Sequence, residues 1–413
     1  MATYTAGIDW STLQNDLAVV DRHGRTIANA RFEATPAGIK AVLQTLAGLR
    51  NGHSHSRRAV PIAIEAANGL LVSALRHHGQ TVVPIAPSTV ARYRGRLNPG
   101  HTKSDRGDAS LLANILRTDG AAHRPLHSNS DLADAIGILT RTHLRTQRTR
   151  HYLNLQLRSR LRAVHPAALT AWAALPNNLL RPEARQVLAL APTSRGAARL
   201  RKYAIRAALE RGGRFRLLDA EAERLHSLFQ EPVLLNTPAV EDALGIDVRT
   251  TVGLLDETCT ALDALAEEID ARFLEHPQCG IYLSMPGVGP LTGARLLGEI
   301  GDDPGRFATG KGLAAYAGAR PFTWESGSSR TVLHRRVAAN KHLAAYCHRW
   351  AFATLTQSSE CRAHYDRRRE GGERHNAALR NLSARLLSCL HHCLSTGQPY
   401  DPAAAWPDRE TAT

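Results

Sequence analysis

The sequence predicts an α/β N-terminal domain, a long helical connector and a mainly α-helical C-terminal region. Three observations carry this. Short strand-like runs alternate with helical stretches up to about residue 125. A run from Asp131 to about Val164 has no proline and, after Gly137, no glycine, which is the composition of one long helix. From Gly280 to about Tyr400 the pattern is helical apart from the irregular centre ARPFTWESGSSRTVLHRRV.

Within the first region, TAGIDWS, DLAVVDRHG and TIANARFEA read as three strands separated by turn residues, the signature of an antiparallel meander. A helix from Gly38 to Leu49 follows, then the apolar strand VPIAIEAA, a helix through Leu70 to His78 and the strand TVVPIAP. Strand, helix, strand at this spacing implies a βαβ unit and a mixed sheet. After the loop RYRGRLNPGHTKS, the run DRGDASLLANILRTDG begins with aspartates and ends at glycine, as a capped helix does. A second long helical stretch runs from Asp219 to about Glu275 and is broken between Pro232 and Pro238. With the Asp131 helix it suits an antiparallel coiled-coil arm, although the heptads are not strict and an ordinary helical connector is the alternative. The expected division is 1–125, 126–278 with an insert of unassigned structure at about 166–215, 279–400, and a disordered tail over 401–413.

The 413 residues carry 52 Lys and Arg against 37 Asp and Glu, a net charge of +15, which calls for a polyanionic partner. A hydrophobic content of 43% excludes disorder along the whole chain. No apolar run approaches the roughly 18 to 20 residues of a membrane span, and the N-terminus lacks the order of a signal peptide, so a cytoplasmic location is expected. The six cysteines are expected as free thiols, and Cys389 and Cys393 as buried helix residues, since no second ligand pair lies near them.

Four carboxylates stand where a fold alone would not put them. Asp9 sits in the middle of the first strand, after Gly7 and Ile8, where an apolar or neutral residue is expected, and Glu65 closes the apolar strand VPIAIE. Asp105 and Asp108 lie three apart at a helix start, so that both project from one face. Converging from two strands and a helix, they offer oxygen ligands to a pair of magnesium ions suited to in-line phosphoryl transfer.

The C-terminal region supplies the basic elements. MPGVGPLTGARLLGEIGD matches a helix-hairpin-helix, in which Gly287 and Gly289 let a nucleic-acid backbone approach exposed amides. The turn Glu325-Ser326-Gly327-Ser328-Ser329 opens a stretch with no acidic residue from Ser326 to Ser359 but with Arg330, Arg335, Arg336 and Lys341. A serine needs such cations around the phosphate it attacks, and the turn offers Ser326, Ser328 and Ser329. Arg141, Arg145 and Arg148 form a helical stripe, and Arg367 and Arg368 belong to a third basic element. Arg92, Arg94 and Lys103 complete the candidate nucleic-acid-binding set.

Taken together these residues closely resemble the transposases of the insertion sequence 110 family, DEDD transposases described as bridge-RNA-guided serine recombinases. The resemblance covers nearly the whole chain. It rests on GIDWS…DLAVVD, IAIEAANGLLV, VVPIAPSTVARYR and KSDRGDASLLA, then on PGVGPLTGARLLGEIGD, LAAYAGARPFTWESGSS and YDRRREGGERHNAALRNLSARLL followed by GQPYD. It implies a RuvC-like, RNase H-type first domain with Asp9, Glu65, Asp105 and Asp108 as a magnesium-binding tetrad. It also implies a coiled-coil linker and a C-terminal transposase domain whose Ser326 attacks DNA to leave a 5′-phosphoserine link. The implied partners are double-stranded DNA at the element ends and the target, a structured noncoding bridge RNA, and further copies of the chain, as dimers that form a tetramer, in a bacterial cytoplasm without a membrane. Two other readings compete: a hydrolytic junction nuclease using the same tetrad, and a non-catalytic architectural DNA-binding protein.

Overall fold

The structure, a computed structural model, describes residues 4–11, 13–49, 60–97, 105–326, 329–333 and 339–406; the side chains of 96, 97, 105, 106, 322–326 and 329–333 are outside that description. The chain divides into two compact units, Met1–Ser128 and Asn129–Thr413.

The first unit is a mixed five-stranded sheet in the order β3-β2-β1-β4-β5. β1 (Tyr4–Asp9), β2 (Asn15–Asp21) and β3 (Thr26–Phe32) form the expected antiparallel meander, and β4 (Ile62–Ile64) and β5 (Val82–Pro84) join it in parallel. The turn between β2 and β3 is closed by Asp21, whose carboxylate accepts from the backbone N–H of His23 and Arg25. α1 (Pro36–Gly48) leaves the meander with Thr35 as its N-cap and Pro36 in its first turn. α2 (Leu70–His77) is the crossover between β4 and β5, and α3 (Pro87–Leu97) and α4 (Asp105–Asp119) complete the unit.

α4 lies directly on the sheet because Gly7 permits it. A methyl group at Gly7 would sit 2.1 Å from the Ala109 carbonyl oxygen and 2.5 Å from the Ala113 nitrogen. On either side of that contact the Thr5 hydroxyl donates to the Ala113 carbonyl at 2.9 Å, and Leu112 and Ile115 bury their side chains against Ala63, Val83 and Ile85.

Among its described residues the second unit is helical apart from one hairpin. Its frame is α5 (Asp131–Val164), the long uninterrupted run, begun by Ser130, whose hydroxyl caps the Ala133 N–H. The segment 166–215 is a set of short helices: α6 (Pro166–Ala171), α7 (Pro182–Leu190), α8 (Ser194–Ala198) and α9 (Lys202–Arg211). Proline opens α6 and α7 at their first turns, where its missing N–H costs nothing. α10 (Leu218–Gln230) and α11 (Pro238–Glu275) follow, separated at the expected prolines.

Two apolar clusters give α5 and α11 their antiparallel relation. Leu153, Leu157 and Leu161 at the end of α5 share one cluster with Val248, Val252 and Leu255 near the start of α11, and with Trp172, Val187 and Ile205 from the short helices. Ala133, Ile136 and Leu144 at the start of α5 share the other with Ile269 and Phe273 at the end of α11. That second cluster also takes in α12 (Cys279–Ser284), α13 (Pro290–Ile300), α14 (Gly310–Tyr316), α15 (Lys341–Thr354), α16 (Ser359–Glu370) and α17 (His375–Thr396). Cys389 and Cys393 pack into it from α17.

Between α14 and α15 the chain leaves the helical body as the hairpin of β6 (Phe322–Ser326) and β7 (Ser329–Leu333). One expectation is corrected. Residues 401–406 are not a disordered tail: α18 (Pro402–Ala405) is capped by Asp401, and Trp406 donates from its indole N–H to the Tyr400 hydroxyl and lies under the Arg385 guanidinium. An aromatic near a chain end can order the residues around it by covering apolar surface. Among the described residues no helix is long and apolar enough to cross a membrane.

Candidate active site and nucleic-acid interface

In the first unit the carboxylates gather at one edge of the sheet. β1 and β4 run parallel with Ile8 beside Ile64, so Asp9 and the next residue after β4, Glu65, leave neighbouring strands side by side, about 5 Å apart at the backbone. α4 runs antiparallel to β1 along its length: Thr5 meets Ala113, and Gly7 meets Ala109. Two strand residues advance about 6.6 Å and four helix residues about 6 Å, so the same step carries Asp9 opposite Asp105, the first residue of α4. The Asp105 side chain is outside the described residues.

Asp108, one turn further into α4, is 7% exposed and accepts two hydrogen bonds on one oxygen from Arg94 of α3, at 3.1 and 2.7 Å. A buried carboxylate of this kind needs a cation, and the guanidinium supplies it. Arg92, on the same helix, is exposed; Lys103 lies outside the described residues.

A fifth acid belongs to this edge and is not among the four that the sequence singles out. Asp16 is the cross-strand partner of Asp9, on the same sheet face, 5% exposed and paired with Arg31 of β3 at 3.1 Å. The signal lies in NDLAVVD, where an acid precedes an unbroken apolar strand, but it resembles an ordinary turn residue.

The donors around this edge are carboxylate oxygens, the ligands that hard divalent cations prefer, and Asp108 already holds a positive charge in the form of Arg94. The residue types therefore fit a divalent cation. Among the described residues, to which the Asp105 side chain does not belong, no three His, Cys, Asp or Glu side chains stand close enough together to hold an ion.

In the second unit the hairpin places Ser326 as the last residue of β6, paired with Ser329 at the start of β7. Its side chain, with those of Arg330, Gly327 and Ser328, and all of Arg335 and Arg336, lies outside the described residues. The stem of the hairpin is described. Asn340, the N-cap of α15, donates its backbone N–H to the Tyr316 carbonyl at 2.9 Å and its amide to the Tyr316 hydroxyl at 2.9 Å. The same amide donates to Glu299 at 2.6 Å, and its oxygen accepts from the N–H groups of His342 and Leu343.

Glu299 is 1% exposed and holds Arg141 through two bonds of 2.9 and 3.0 Å. Burial alone would raise its pKa, but the bonds from Arg141 and Asn340 outweigh burial and keep the carboxyl below its ordinary range. These residues line a shallow, open depression with Lys341 and His342. The half-exposed guanidinium of Arg141 is thus aimed by a buried acid, and Arg145 and Arg148 are exposed on the same helix.

Gly287 adopts φ +73°, the left-handed region that favours glycine, at the turn between α12 and α13, with its missing side chain facing Thr354. Gly289 precedes α13 without a side-chain cap and faces open space. Indole Nε1 of Trp350 holds the turn from below by donating to the Pro286 carbonyl at 2.8 Å. Arg367 is exposed on α16, and Arg368 is engaged by Glu373.

Comparison with known proteins identifies the family. Residues 6–166 match the DEDD transposase model of the IS110 group, and residues 279–366 match the model described as transposase IS116/IS110/IS902 family. The chain is 45% identical over 404 residues to the mini-circle putative transposase for IS117 of Streptomyces coelicolor, covering 98% of this chain and 97% of the relative. It is 28% identical to the 42 kDa protein of insertion element IS900 of Mycobacterium paratuberculosis, over 96% of this chain and 97% of that one. The 44.8 kDa protein of insertion element IS116 of Streptomyces clavuligerus is likewise 28% identical, with 96% of each chain covered. With its acidic edge and hairpin-bearing helical unit, the chain belongs to the IS110 family of insertion-sequence transposases and is therefore a DNA-binding protein.

Proposed function

We propose that this transposase cuts and rejoins DNA through a covalent 5′-phosphoserine link on Ser326, aided by the carboxylates of the first unit. The observation that carries the reading is that one unit has an acid-lined sheet edge and the other a serine-tipped hairpin in an acid-free basic stretch. Asp9, Glu65, Asp105 and Asp108 of a RuvC-like domain would hold magnesium, whose charge polarises the attacked phosphodiester. Ser326 supplies the oxygen that attacks phosphorus, its proton passes to a base, and the 3′-oxygen of the cut strand leaves. The arginines of the stretch, Arg330, Arg335 and Arg336, offset the charge that builds on the phosphate oxygens.

Exposed Arg92, Arg145, Arg148 and Arg367 supply sequence-independent backbone contacts, as does the glycine turn at Gly287 and Gly289, read as a helix-hairpin-helix. Such contacts leave sequence choice to another component, and the reading assigns that role to a bridge RNA paired with donor and target DNA. Dimers assembling into a tetramer would let the acidic edge of one copy serve the hairpin of another.

The test is the fate of a 3′-labelled strand on a denaturing gel, since the fragment that stays on the serine is the one that keeps the 3′ end. A protein–DNA adduct lost in Ser326→Ala and in Asp9→Asn supports the reading. A second reading, hydrolysis by the acidic edge alone, is favoured by the self-contained geometry of the first unit and predicts cut DNA with no adduct and no dependence on Ser326.

A further inference from the structure

We propose that Glu299 is a positioning residue for Ser326, acting through Asn340 and Tyr316 to close the base of the hairpin. The inference rests on the serine reading above.

Between α14 and α15 the hairpin leaves the helical body, and the described residues at its two ends converge. Tyr316 closes α14 before the excursion and Asn340 opens α15 after it; they share the backbone bond and the amide–hydroxyl bond, each 2.9 Å. Just outside them, a methyl group on Gly318 would stand 2.9 Å from the Ala339 side chain, so the two strands of the stem touch. The Tyr316 hydroxyl is held from the other side by Arg306 at 3.1 Å.

Glu299 lies beneath this closure. Its carboxylate ties Asn340 to Arg141 of α5 and so references the stem to three helices, α5, α13 and α15. Loop closure is cheap in free energy but loose in geometry unless its ends are fixed. A nucleophile displaced by even about 1 Å loses roughly a hundredfold in rate. A fully buried acid also removes the alternative of water as a partner, so the stem has one arrangement rather than several.

The carboxylate and the amide can be exchanged. In Glu299→Gln the new amide brings donors against the donors of Arg141 and Asn340. In Asn340→Asp two carboxylates face each other. When Glu299→Gln and Asn340→Asp are combined, the amide introduced on α13 donates to the carboxylate introduced on α15 and accepts from Arg141. That carboxylate still caps α15 and accepts from the Tyr316 hydroxyl.

The experiment uses the full chain with a duplex carrying the joined element ends and the transcript of the element's noncoding end. It measures adduct formation, duplex affinity, thermal unfolding and hydrogen exchange of the 318–339 peptide. Each single variant is expected to slow adduct formation about tenfold or more, since a hydrogen bond to a charged group is lost, and to speed exchange in 318–339. Affinity should stay within about twofold, and the double variant should recover both rate and protection. Wild-type rate and exchange in a folded single variant, or a lost rate that the double variant does not restore, overturns the proposal. Ser326→Ala is run beside them: if it forms adduct as well as the wild type, the serine reading has failed, whereas an inactive Ser326→Ala with a fully active Glu299→Gln removes the positioning role alone.

Discussion

Arg141 meets Glu299 because α5 and α13 cross at a pair of glycines. Gly137 and Gly298 leave the two backbones in contact: a methyl group at Gly298 would stand 2.8 Å from the Gly137 Cα. Arg141 is one helical turn beyond Gly137, and Glu299 is the residue after Gly298, so the crossing delivers a guanidinium to a carboxylate with 0% side-chain exposure. Gly298→Ala should cost about 1–3 kcal/mol by overpacking. Thermal unfolding and crosslinking of residues 141 and 299 check this, and an unchanged melting temperature would show that the helices do not cross where stated.

Arg94 neutralises Asp108 and competes with any cation that these oxygens could hold. Arg94→Ala should lower the magnesium concentration at half-maximal DNA cleavage by several-fold, at about one Coulombic pair's worth of attraction. Terbium luminescence titration gives a readout independent of catalysis. A higher magnesium requirement, with DNA affinity unchanged, would assign Arg94 to supporting the site.

Acid sensitivity should come from two buried histidines of the second unit. His143 accepts from Arg295 at 3.0 Å, and burial followed by the Arg295 charge lowers its pKa to about 4; burial also lowers His165 to about 4. A folded pKa below the unfolded value of 6.5 means that the unfolded chain binds the proton first. Stability is therefore full above about pH 6.5 and declines as pH falls towards about 4, by up to about 3 kcal/mol for each histidine. Glu299, with its lowered carboxyl, adds its own loss only below the ordinary 4.5. Melting temperatures from about pH 7 to about pH 4 should fall for the wild type and flatten for His165→Phe; a flat wild-type curve contradicts this assignment.

The exposed arginines of α5 should act through charge alone. Replacing Arg145 and Arg148 by glutamine should weaken binding to any duplex and reduce the slope of log affinity against log salt by about one to two, roughly 0.9 for each phosphate left unneutralised. Arg141→Gln should behave differently. It removes two of the hydrogen bonds on a buried carboxylate and leaves that from Asn340, so it should destabilise the fold by about 1–3 kcal/mol. If Arg141→Gln changed the salt slope and left stability intact, its pairing with Glu299 would be wrong.

What is legible in the sequence follows from the range of each interaction. Glu65 is legible at the end of its apolar strand, whereas Asp9 reads as mid-strand and is the last residue of β1; their meeting follows from two parallel neighbours. The long α5 and the break before α11 are also local, set by where glycine and proline do and do not occur. Arg141 reads as one charge in an acid-free window because its acid is 158 residues away. The short helices α6 to α9 are hidden for a related reason: none is long enough to show a period, and their shared cluster with Trp172 forms only against α5 and α11. Asp16 does not stand out because its pairing with Arg31 is a matter of sheet register. Composition makes residues 401–406 look like a tail, yet Trp406 finds both a hydroxyl and a guanidinium.

The most direct test of the central claim is mass spectrometry of the nuclease-trimmed protein after reaction with DNA bearing the element ends. The account predicts a nucleotide mass on the peptide containing Ser326, absent from Ser326→Ala and from Asp9→Asn. A nucleotide on another residue, or efficient strand exchange by Ser326→Ala, would contradict it.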